Sequence, residues 1–84
     1  MNDEEVLAVL RTEGEGLSAV ELAKLLERLT GRLSHGMIVT YFKRAFPAIP
    51  LRVLLEAGVW WRVSAGSGSS DEQFNEMLGP WLGR

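Results

Sequence analysis

Leu17-Ser18-Ala19-Val20-Glu21-Leu22-Ala23-Lys24-Leu25-Leu26-Glu27-Arg28-Leu29-Thr30-Gly31 carries the clearest structural signal in this 84-residue chain. Ser18 followed three residues later by Glu21 is a capping box, in which each side chain accepts a backbone N–H that the first helical turn leaves unbonded. Leu17 and Leu22 stand at the two positions of a hydrophobic staple across that start. Leu22, Leu25, Leu26 and Leu29 recur at i, i+3, i+4 and i+7, one apolar face of a helix. Gly31 supplies the stop. An amphipathic helix of this kind needs other apolar faces to pack against.

Those faces lie on both sides of it. Upstream, Asn2 caps a helix over Asp3–Arg11, Glu5 sits three residues on, and the early acids favour the positive end of the helix dipole. Val6, Leu7 and Leu10 form its buried stripe, and Thr12–Gly16 breaks it. Downstream, a helix begins near Ser34 with Met37, Ile38, Tyr41, Phe42 and Ala45 along one side, and Pro47 ends it. Gly36, Thr40 and Lys43 occupy its other side, with Arg44 at the border. Pro50 opens a short helix holding Leu51, Leu54 and Leu55, closed by Gly58.

Val59-Trp60-Trp61-Arg62-Val63 alternates β-branched and aromatic residues and predicts a strand. Its alternation sends Val59, Trp61 and Val63 to one face and Trp60 and Arg62 to the other. Residues 64–70, rich in glycine and serine, predict a flexible loop. A second capping box, Ser70-x-x-Gln73, starts a last helix with Phe74, Met77, Leu78 and Trp81 as its apolar residues, stopped by Gly79-Pro80. The predicted fold class is mainly α: a compact bundle of four to five short helices with one short strand or small β-wing. The chain reads as a single helical domain over residues 1–84, with 79–84 as a tail and no internal repeat.

Bulk properties bound the rest. With no cysteine, neither disulfides nor thiolate metal sites are available, and 46% hydrophobic residues must supply the core unaided. Met1-Asn2-Asp3-Glu4-Glu5 is acidic where a signal peptide needs positive charge. No stretch approaches the roughly 20 apolar residues that span a bilayer. The expectation is a soluble, cytoplasmic protein with no membrane association. Charge is uneven: residues 1–30 hold seven acids against three bases, residues 31–62 hold Arg32, Lys43, Arg44, Arg52 and Arg62 against Glu56, and the remainder returns the net charge to −2. The basic middle is a candidate surface for an acidic partner.

Catalytic and cofactor chemistry finds no footing. His35 is the single histidine, and its neighbour Ser34 does not face it on a helix, so no Ser-His dyad forms. The acids are not at metal-loop spacing. Gly66-Ser67-Gly68-Ser69-Ser70 lacks the Gly-Lys-Ser/Thr ending of a phosphate cradle. Asp71 and Glu72 at a helix start serve its dipole better than acid–base work. The expectation is a non-enzyme without cofactor, metal or small-molecule substrate.

The order helix, capped helix, helix, then Leu54-Leu55-Glu56-Ala57-Gly58-Val59 leading to a Gly-rich loop resembles bacterial winged-helix domains over residues 3–66. Such a resemblance implies a nucleic-acid-binding domain with a β-wing. The wing segment 64–70 contains no lysine or arginine, and Asp71 onward reads as helix instead of a returning strand. A five-helix packing with one short strand is similar to small death-fold-like or effector-associated adaptor domains, which implies recruitment of protein partners.

Two functions follow as expectations. As a protein–protein interaction (adaptor) module, the domain would use Trp60, Trp61, Arg62 and Trp81, because exposed tryptophan beside arginine is the usual make-up of an interface hot spot. The oppositely charged thirds would also suit self-association. The competing assignment is that the tryptophans cover a small core. As a nucleic-acid binder, it would use Arg32, His35, Thr40, Lys43, Arg44 and Arg52 around the third helix. That requires the cations to share a face, since affinity depends on several neutralised phosphates. The acidic isoelectric point, about 5.3, favours the first function.

Overall fold

The computed structural model describes residues 2–60, 62–63 and 68–82. Five helices run over Asp3–Glu13 (α1), Ala19–Thr30 (α2), His35–Ala45 (α3), Leu51–Ala57 (α4) and Asp71–Leu78 (α5), and a 3₁₀ turn over Gly79–Trp81 extends α5. Reciprocal capping boxes start three of them: Asn2 with Glu5, Ser18 with Glu21, and Ser70 with Gln73. Ser34 caps α3 by accepting the Met37 N–H, and Pro50 occupies the cap position of α4. Each of the four side-chain caps bonds a donor that would otherwise cost about 1 kcal/mol, whereas Pro50 makes no such bond. α2 ends on Gly31 with φ +83°, a left-handed conformation that favours glycine.

The main packing contacts form a closed ring: α1 on α2, α2 on α5, α5 on α4, α4 on α3, and α3 back on α1. Inside it lie Val6, Leu7 and Leu10 from α1, and Leu22, Leu25 and Leu26 from α2. Ile38 and Phe42 of α3, Leu54 of α4, and Phe74 and Leu78 of α5 complete the core with Ile49 and Trp60. Polar bonds join the helices at their ends. Asn75 of α5 accepts the Val20 N–H at 2.9 Å, adding an acceptor at the start of α2. Arg11 of α1 donates to the Arg44 and Ala45 carbonyls at the end of α3 (2.9 and 3.4 Å), where a cation also complements the dipole. No described helix is long and apolar enough to cross a membrane.

The strand expected over Val59–Val63 is not found, and with it the β-wing is missing among the described residues. The one β contact there is an isolated parallel bridge between Trp60 and Ser69. The Ser69 N–H donates to the Val59 carbonyl at 2.7 Å, and the chain then turns, with the Val63 N–H on the Trp60 carbonyl at 3.0 Å. A strand persists only where a neighbour pairs its successive N–H and C=O groups, and a single bridge does not provide that. The Trp60 indole supplies the competing pull, because it packs into the core against α5. Of the loop expected over 64–70, residues 64–67 lie outside the described residues; Ser69 is held by its bridge and Ser70 by its cap. Of residues 79–84, Gly79–Trp81 continue α5 as a 3₁₀ turn, and the Leu82 side chain is buried.

Candidate functional site

α4 is apolar around most of its circumference. Leu54 and Ala57 point into the ring and are fully buried, so Leu51 and Leu55, a few residues away on the helix, are turned outward. Leu51 is 51% exposed and Leu55 48%, and Val59, a further four residues on, is 48% exposed. Leu51 and Leu55 stand at i and i+4 on one side of α4, and Val59 follows just past its end, its N–H turned back onto the Glu56 carbonyl (3.2 Å). Arg52 and Glu56 flank the stripe and are exposed. Three large aliphatic side chains in an exposed row are the feature of this surface that folding alone does not account for.

The tryptophan and arginine candidates take different places. Trp60 is 0% exposed, which corrects its assignment as a partner contact. Its indole stacks on Phe74 with centroids 4.1 Å apart and planes 11° from parallel, and its Nε1–H donates to Asp71 Oδ1 at 2.9 Å. Burial is therefore compatible with its one polar group being bonded. Arg62 lies on the surface over the same ring, its guanidinium carbon 5.7 Å from the centroid. It donates to both Asp71 carboxylate oxygens, Nε to Oδ1 at 3.1 Å and Nη2 to Oδ2 at 2.9 Å. That pairing raises the Arg62 pKa above its ordinary value. Trp61 lies outside the described residues. Trp81, on the 3₁₀ turn, is 39% exposed.

The nucleic-acid candidates are spread over local tasks. Lys43 donates through Nζ to the Pro47 and Ile49 carbonyls (3.0 and 2.8 Å), bracing the α3–α4 turn. Arg44 is 3.8 Å from Asp3, both well exposed, a geometry worth little on its own. Tyr41 donates to the same Asp3 carboxylate at 2.7 Å, which raises the tyrosine pKa, while Arg44 and Arg32 nearby pull it down. Arg32 and Arg44 thus share the neighbourhood of Tyr41. The His35 ring lies over Gly58, in space a β-carbon there would occupy, and Arg52 belongs to the α4 flank. Thr40 is exposed on α3.

A separate open groove of about 730 Å³ runs beside α2, lined among the described residues by Leu17, Glu21, Lys24, Glu27, Arg28, Leu33, Trp60 and Arg62. Its acids and bases alternate along one helix face. Glu21 is engaged by the Ser18 backbone N–H and hydroxyl, which hold its carboxyl below the usual range. No group of three histidine, cysteine or acidic side chains gathers as a metal-ligand set among the described residues. No family model, curated protein or solved structure matches the chain.

Sequence reasoning singled out the tryptophans and missed the α4 stripe. One signal for it was available. Leu51, Val53, Leu54, Leu55 and Ala57 spread over roughly 200° of a seven-residue helix at about 100° per residue, with Arg52 and Glu56 on the remaining side. An apolar arc wider than the single stripe a core covers leaves apolar surface outside.

Proposed function

We propose that the chain is a non-catalytic protein-interaction module that docks its partner on the α4 face, Leu51, Leu55 and Val59. The observation carrying this is the exposure of that row, half open to solvent beside two charged residues. An apolar row rimmed by charge has the make-up of a small recognition patch. Trp81, partly exposed, is a secondary contact candidate. The nucleic-acid function has less support, because Lys43 is committed to backbone carbonyls and Arg44 sits beside Asp3.

Cross-linking mass spectrometry in extract of the source cells, with the native protein and Leu55→Asp side by side, tests this proposal. The native chain is expected to cross-link through residues flanking α4, and the variant, folded by circular dichroism, to lose those links. Identical cross-link patterns from both would refute the α4 docking face. Salt-sensitive binding of a random DNA duplex, abolished by Arg32→Ala with Arg44→Ala, would transfer the function to the cations around α3.

A further inference from the structure

Building on that reading, we infer that the occupant of the α4 face is a second copy of the same chain, docked antiparallel about a two-fold axis through Leu55. The charges beside the stripe select this occupant. At about 100° per residue, Arg52 and Glu56 fall about 60° and about 100° round the helix from Leu55, both on the same side. Both are exposed, and neither has an ion-pair partner among the described residues. In an isologous pair, residue i of one copy meets j of the other and j meets i. Laying α4 antiparallel on itself sets Leu55 against Leu55 and Leu51 against Val59. The two-fold axis leaves the charged flanks of both copies on the same side of the contact. Arg52 of each copy then faces Glu56 of the other, giving two equivalent ion pairs beside one continuous apolar seam.

Charge complementarity favours this occupant over an unrelated partner. A flank bearing one cation and one anion on successive turns meets one like charge from any uniformly acidic or basic surface. Its own antiparallel copy satisfies both. Seven helical residues extend only about 10 Å, so the contact is smaller than a standard interface and the dimer is weak and concentration-dependent.

Sedimentation equilibrium of the purified chain, from about 10 µM to about 1 mM at low salt, tests the inference across the range where a weak contact assembles. The apparent mass is expected to climb from 9.3 kDa toward twice that value. Leu55→Asp should remain at the monomer mass. Arg52→Glu and Glu56→Arg should each weaken association about tenfold by opposing like charges, and the double reversal R52E with E56R should restore it. Circular dichroism checks that every variant is folded. A native chain monomeric throughout, or a double reversal no better than the single changes, would overturn the second copy as occupant. If the cross-links of α4 to a different protein were still lost in Leu55→Asp, the docking face would stand while the self-association failed. Association undiminished by Leu55→Asp would overturn the face as well.

Discussion

Replacing Trp60 with alanine measures how far the core depends on one ring. The side chain is fully buried and stacked on Phe74. A buried tryptophan removes about 150–250 Å² from water, which at about 25 cal/mol per Å² is roughly 4–6 kcal/mol. A denatured chain that already hides part of that area lowers the figure to about 3–5 kcal/mol, the range found for large aromatic-to-alanine changes in cores. The lost Nε1–H bond adds less than its full worth, because Asp71 keeps Arg62 as a donor. An 84-residue domain holds roughly 4–13 kcal/mol in total, so Trp60→Ala should remove about a quarter or more of its stability. Urea denaturation followed by circular dichroism at 222 nm is the assay, since the change also removes a fluorophore. Trp60→Phe serves as control: it keeps a ring against Phe74, loses the donor, and should cost about 1–2 kcal/mol. If Trp60→Ala cost less than about 1 kcal/mol, the ring would not be a core residue and the buried stack would be wrong.

Two further outcomes follow from local geometry. Gly68 has φ +104°, and a β-carbon there would fall 2.5 Å from the Val59 carbonyl oxygen. Gly68→Ala should therefore cost about 1–3 kcal/mol, read as a fall in Tm; an unchanged Tm would mean that the approach relaxes freely. Glu21 has a carboxyl held below its ordinary value by Ser18, so its contribution is fully present above the unfolded pKa and fades as pH falls through the folded one. Glu21→Gln keeps an acceptor for the cap and removes the titration. The Tm advantage of the native chain should be constant near neutrality and shrink below about pH 4.5. The same Tm gap at pH 3 and pH 7 would contradict the assignment.

Local physics and tertiary competition divide what the sequence showed from what it hid. The starts of α1, α2 and α5 were legible because a capping box involves only four consecutive residues, and the stripes Val6–Leu7–Leu10 and Leu22–Leu25–Leu26 because one periodicity sorts their sides. Val59–Val63 was misread because its alternation is a local property, whereas the position of Trp60 is decided by Phe74 and Asp71, more than ten residues away. The nucleic-acid candidates were grouped as cations and polar residues around the third helix, yet Lys43 is bound to the Pro47 and Ile49 carbonyls and Arg44 lies beside Asp3 of α1. The inward side of α4 was illegible because five of its seven residues are apolar, and only the packing of α3 and α5 selects which ones turn inward.

The bond from Val20 to Asn75 links residues 55 positions apart, and it joins the second helix to the last. A ribosome releases the chain from its amino end, so α2 emerges well before the side chain that completes its start. Until α5 is free, the apolar side of α2 lacks Phe74 and Leu78 as well as that acceptor, and the ring of helices stays open between α2 and α4. Cooperative closure thus waits for α5 to emerge, and the exposed half-built ring is the species that a chaperone or protease would meet first.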